Sequence, residues 1–247
     1  MKFGSCLKVF ALISILTSFS AQAFVLSGFK WGTPILGQGA SLTWGYADDV
    51  LGCRIVGQNG DPCGSGIETD GSLLPGETSD FIFTEVSRAF DSWSNVADLA
   101  FTFTTAADPD ILIGRHALDG VGNVLAHAFI SFFNNPVGMN EAAISDIHFD
   151  TGDTFVLDAD DFTGGFFFNT LTHEIGHSLG LDHVGRLDTD SLMNPIIQRS
   201  FVGPQADDIA GIRELYGVAA VPLPAAFWLM LSGFGVFTAI RKHVAAS

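Results

Sequence analysis

His173-Glu174-Ile175-Gly176-His177-Ser178-Leu179-Gly180-Leu181-Asp182-His183 is the stretch on which the reading of this chain turns. His173 and His177 stand four apart, so on a helix they share one face and their imidazoles can meet at one metal ion. Glu174 lies beside the first of them and can reach a water on that metal. Gly180 can take a positive φ and end the helix. The chain can then turn and bring His183 back as a third ligand. Three protein ligands leave a position open, as a catalytic zinc requires. The short His-Glu-x-x-His pattern is common by chance; Gly180 and His183 at these offsets make the extended form far more specific. The spacing therefore predicts zinc on His173, His177 and His183, with Glu174 as the base.

Working outward, the apolar periodicity predicts a helix over about Phe167–Leu179 around this motif and a third helix over about Ala206–Tyr216. A first helix runs from Asp80, a candidate cap, to about Val96. Phe83, Val86, Phe90 and Trp93 recur there at spacings of three and four, which marks one buried face. Ser41–Tyr46, Leu99–Thr104, Ile111–Ile113, Val124–Phe129 and Ile144–Phe149 read as strands. The stretch from Asp48 to Thr78 is rich in turn formers and reads as a loop. Strands and helices alternate without a regular βαβ rhythm. The expected class is α+β, a mixed, mostly parallel sheet with three main helices.

The two ends have compositions of their own. Lys2 and Lys8, the apolar run Val9–Phe19 and Ala21-Gln22-Ala23 are the three parts of a secretory signal peptide, residues 1–23. At the other end, Val221-Pro222-Leu223-Pro224-Ala225-Ala226 precedes an apolar run to Ile240 and the basic Arg241-Lys242. That run is short for a bilayer core of ~30 Å. Residues 221–247 resemble the PEP-CTERM sorting tails of exopolysaccharide-making Gram-negative bacteria. The resemblance implies a transient inner-membrane anchor that an exosortase removes, leaving the protein at the cell surface or in the extracellular matrix; a permanent anchor is the alternative. The mature domain would be residues 24–220. It keeps all 27 acidic residues and 7 of the 11 basic ones, a net charge of −20. That charge excludes nucleic acid and anionic membrane surfaces as partners. Cys53 and Cys63 stay in it, and in an oxidising compartment they point to one disulfide. A metal site or free thiols are the alternatives.

Further residues carry a family resemblance. Ser191-Leu192-Met193-Asn194-Pro195 follows the zinc motif at the distance of a Met-turn. Lys30-Trp31, Leu42-Thr43-Trp44, Leu125-Ala126-His127-Ala128-Phe129, Ile147-His148-Phe149-Asp150 and Asp207-Asp208-Ile209-Ala210-Gly211-Ile212 add to it. Together they resemble the matrixin branch of the metzincin metalloproteases over roughly Lys30–Gly217, with an unmatched insertion at Cys53–Glu77. The resemblance implies a zinc metalloendopeptidase acting on protein or peptide substrates, with Met193 packed beneath the zinc ligands.

It also implies secondary sites. His127 and His148 fall at two structural-zinc positions, with His116 as an unaligned candidate for a third; ordinary strand hydrogen bonds are the alternative. Asp119, Asp150 and Asp153, with the carbonyls of Gly120 and Gly122, fall at calcium positions. Substrate would lie extended along Leu125, Ala126 and Ala128, with a side-chain pocket walled by Pro195 and Ile197. Ile197 stands where the family has a tyrosine. No cysteine switch is expected. The rival reading from another class is a calcium- and zinc-stabilised matrix-binding protein without catalysis. Glu174 separates the two, because a binding module needs no base beside its metal.

Overall fold

The computed structural model describes residues 24–47, 79–106, 108–153, 155, 166–198 and 200–219. The expected signal peptide, the Cys53–Cys63 pair and the sorting tail lie outside the described residues. Among the described residues no helix is long and apolar enough to cross a membrane.

In chain order the elements are β1 (Val25–Leu26), β2 (Phe29–Lys30), β3 (Ala40–Tyr46), α1 (Ser79–Ser94), β4 (Leu99–Phe103) and β5 (Ile111–His116). Then come β6 (Ala126–Phe133), β7 (Asn140–Asp150), α2 (Phe166–Ser178), β8 (Leu181–Asp182) and α3 (Ala206–Tyr216). The main sheet runs β2-β7-β5-β3-β4. Its pairings along that path are parallel, and β6 alone joins β7 antiparallel, so the class is the expected α+β. β1 and β8, too short to show a periodicity, form a separate two-stranded ribbon.

Burial follows the sequence pattern except at one end of α1. Val86, Phe90 and Trp93 are buried as their spacing predicts. Phe83 is not: it stays 39% exposed, and Ile82 takes the inward position. Phe83 lies against the rings of Trp44 and Phe103 at the rim of the core, where Phe103 is itself exposed.

α2 is buried nearly all round, the signature of a central helix. Trp93 of α1 donates its indole N–H to Thr172 O at 3.0 Å. The C-terminal end of α2 leaves carbonyls without helical partners. Two distant side chains satisfy them: Trp31 Nε1 donates to Ser178 O at 2.7 Å, and the Tyr216 hydroxyl donates to Leu179 O at 2.8 Å. The same hydroxyl accepts the main-chain N–H of Trp31 at 3.0 Å. The helix stops at Gly180, whose φ of +104° turns the chain towards β8.

A Cβ at Gly180 would collide with Phe29 O on the main chain of β2, and the left-handed φ adds strain for any other residue. Gly180→Ala is expected to lower the unfolding free energy by about 3 kcal/mol, read by denaturant titration of the chelator-treated protein.

Candidate metal centre

α2 carries His173 and His177 on one face, and the Gly180 turn returns His183 to meet them. Their three Nε2 atoms form a triangle with sides of 3.0, 3.1 and 3.1 Å. Zinc–imidazole bonds of ~2.0–2.1 Å in a tetrahedron need nitrogens about 3.3 Å apart, so the triangle fits zinc to within a few tenths of an ångström. These three side chains are the one metal-holding group of three or more found among the described residues.

Main-chain carbonyls fix two of the rings. Leu192 O lies 2.7 Å from His173 Nδ1, and Leu181 O lies 2.9 Å from His177 Nδ1. Each carbonyl takes the Nδ1–H, which leaves Nε2 as a bare lone pair aimed at the centre. Burial holds all three imidazoles below their ordinary pKa, His177 at about 4. They are therefore neutral at pH 7, the form that binds metal.

Glu174 is 5% exposed and lines the same cleft. Burial pushes its carboxyl up to about 8. The cleft encloses about 1030 Å³. Leu125, Ala126, Ala128, Thr170, Pro195 and Ile197 line it. The residues expected to bind substrate thus share one cleft with the histidines.

Met193 is buried, and its side chain packs against Gly176 of α2. A Cβ on Gly176 would lie 2.5 Å from Met193 Sδ and 3.0 Å from Trp93, so a larger residue there would displace the methionine side chain. The turn is held by a residue to which sequence reasoning gave no role. Asp208, buried at the start of α3, accepts Ser191 Oγ at 2.6 Å, Leu192 N at 2.7 Å and Met193 N at 3.1 Å. It also accepts Gln205 N at 2.7 Å, closing the capping box of its own helix. The Gln205-x-x-Asp208 spacing was a visible signal; its reach to Ser191 was not. Asn194 braces the other end, donating Nδ2 to Asp188 O at 2.7 Å.

The secondary sites are less complete. His127 Nε2 faces His148 Nδ1 at 3.2 Å across the β6–β7 pair, and the side chain of His116 lies outside the described residues. Two facing imidazoles are half of a structural zinc site. The three aspartates do not gather about one point. Asp150 turns instead to the loop, accepting N–H groups from Leu118, Asp119, Gly120 and Gly152 at 2.8–3.2 Å. Burial works against its charge, yet these four bonds hold its carboxyl below its ordinary range. Asp153 accepts Gly122 N through Oδ1, while its Oδ2 is buried with no hydrogen-bond partner. The buried, unused Oδ2 of Asp153 is an oxygen that could face a cation.

A mostly parallel sheet backing a helix, with three imidazoles converging beyond a glycine turn, is the metzincin arrangement of the α+β class. The Matrixin family model matches residues 75–217, more than half of the chain, and the chain belongs to that family. It is 38% identical to Matrix metalloproteinase-2 of Drosophila melanogaster over 53% of this chain and 18% of that protein. It is 36% identical to Macrophage metalloelastase of Oryctolagus cuniculus over 53% of this chain and 28% of that one. With Stromelysin-2 of Rattus norvegicus the figures are 34%, 62% and 32%. The chain thus spans less than a third of the length of these relatives.

Two outcomes follow from the geometry. Asp208→Asn should weaken zinc retention about tenfold in competition with a chelating dye, because the turn that orients His173 loses its anchor. The buried histidines take up protons only well below pH 6.5, whereas the unfolded chain takes them up near 6.5. Glu174, whose carboxyl is raised to about 8, works the other way and offsets one histidine; the others outweigh it, so the metal-free protein should lose stability as pH falls from about 6.5 towards 4. His177→Asn should flatten that slope in thermal unfolding.

Proposed function

We propose that this chain is an exported zinc-dependent endopeptidase. The observation that carries the reading is the buried carboxylate of Glu174, in the cleft beside the converging Nε2 atoms. Isolating a carboxylate in this way costs stability, and a purely structural metal site has no use for it.

His173, His177 and His183 would hold the zinc, which when bound would supply Lewis acidity for the scissile carbonyl and for a water near pH 7. Glu174 accepts the proton of the attacking water. The charge of a zinc ion at the histidines would draw this carboxyl down from the value that burial alone gives it, so that it can take the proton, and the same carboxyl then passes it to the departing amine. Ala126, Ala128 and their neighbours present the edge of β6 to an extended substrate, and strand pairing holds the peptide bond in place. Pro195 and Ile197 wall the space for one side chain of the substrate. Family membership supports this chemistry; the peptide cleaved is set by the shape of this cleft.

The export reading rests on the sequence. Residues 1–23 act as the signal and residues 24–220 as the mature domain. Residues 221–247 are a sorting tail that anchors the chain transiently before an exosortase releases it. Calcium at Asp153 and the carbonyls of the Gly120–Gly122 loop would tie that loop to the end of β7.

Glu174→Ala in residues 24–220 should keep its zinc and lose at least 1000-fold of its activity on a mixed fluorogenic peptide library, on the order of a lost general base and its charge. Full zinc with no cleavage by the unaltered chain would return the reading to a binding protein. Millimolar calcium should raise the midpoint of thermal unfolding, and Asp153→Asn should remove most of that rise; a midpoint indifferent to calcium would remove the ion from the account.

A further inference from the structure

β6 runs on past the cleft. Ala126, Ala128 and Ile130 line the cleft on one face of the strand, and the pleat places the next residue of that row at Phe132. Phe132 is 41% exposed, and its ring stacks on Phe29 with centroids 5.8 Å apart. Ser27, two residues before Phe29, lines the near end of the cleft. The apolar row is thus continuous from the metal centre to an aromatic shelf. Phe133, 66% exposed, closes the strand.

The outer edge of β6 is the second observation. Among the described residues β6 pairs with β7 alone. An edge strand exposes a row of unpaired main-chain groups, and proteins normally guard it with lysine, other charges or proline. The sequence Ala-His-Ala-Phe-Ile-Ser-Phe-Phe contains none of these. The strand is irregular only at Ser131/Phe132. An edge of eight residues spans about 27 Å. So long and uncharged an edge, ending in two exposed rings, suits a main chain that pairs along it.

We propose that β6 from Ile130 to Phe133 extends the substrate edge, and that the preferred substrates are long extended polypeptides with an apolar or aromatic side chain on the Phe132 shelf. This rests on the endopeptidase reading and narrows it to a substrate class. The shelf lies four residues beyond Ala128, about 13 Å along the strand. A peptide just long enough to fill the cleft does not reach it. Unfolded or looped protein segments do.

The test uses a six-residue fluorogenic peptide that the protein cleaves, and versions lengthened by six residues at either end with phenylalanine or serine at alternate positions. One lengthened phenylalanine peptide should have kcat/KM about tenfold above the short one, mainly through KM, the scale of partly burying one aromatic ring. The serine version should gain less. Replacing both rings (Phe132→Ser with Phe133→Ser) should bring the long-to-short ratio towards one. A ratio near one in the unaltered protein, or one that survives the double substitution, overturns the proposal.

A second measurement needs no turnover. Hydrogen exchange of the amides of residues 130–133 in the Glu174→Ala protein should slow when the long peptide is added; unchanged exchange counts against the proposal. If no peptide is cleaved but these amides are protected, the edge assignment stands and the endopeptidase reading falls. If the protein forms a concentration-dependent dimer that the double substitution dissolves, the edge belongs to a second copy of the chain and the proposal is overturned.

Discussion

The peptide unit that joins Leu192 to Met193 faces two ways. Its N–H goes to the buried carboxylate of Asp208, and its carbonyl goes to the imidazole of His173. One rigid plane therefore connects the first turn of α3 to the first metal ligand. Asp208 in turn gathers Ser191 Oγ, Leu192 N and its own helix cap, so four hydrogen-bond donors converge on one carboxylate. Hydrogen bonds to a charged acceptor are stronger than neutral ones, and this one is shielded from water. The ring of His173 cannot rotate without disturbing that set. The lone pair that faces the metal is held by a loop, a helix and a carboxylate that never touch the ion.

The opposite device works at Asp150. There, too, a buried carboxylate collects main-chain N–H groups, but the loop it ties is the one before β6. Asp208 ties the turn that holds His173, and Asp150 ties the loop that leads towards β6. The carboxyl of Glu174, in the cleft itself, is pushed up by burial. Two acids are satisfied and one is left frustrated by burial, and the contrast separates groups that shape the site from the group available for chemistry.

How much of this was legible in the sequence follows from distance along the chain. The histidine tripod was readable because a helix converts a spacing of four into proximity and a glycine turn returns the third ligand. The bounds of α3 were readable from its periodicity. The Gln205-x-x-Asp208 spacing could have marked Asp208 as a capping residue and was not read so; its grip on Ser191 is tertiary and no local pattern encodes it. Phe83 shows the limit of periodicity: the spacing assigns it to the buried face, yet its ring rests beside the exposed Phe103 at the rim of the core. The strand expected to stop at Phe129 continues to Phe133, and its partner starts at Asn140 rather than Ile144. Each strand is lengthened by pairing with the other. The apolar–polar alternation of Ile130-Ser131-Phe132 and the turn residues Asn134-Asn135-Pro136 carried that signal weakly.

The closure of α2 has a consequence for the order in which the molecule becomes itself. Its last carbonyls are satisfied by Trp31 and Tyr216, which also bond to each other although 185 positions separate them. A chain delivered from its N-terminus, by a ribosome or through an export channel, presents every zinc ligand before Asp208 and Tyr216 have emerged. Until they do, the helix end is uncapped and the Met-turn is unanchored. The domain cannot ripen piecemeal; competence arrives with its final helix, after the rest of the domain has already left the machinery that delivers it.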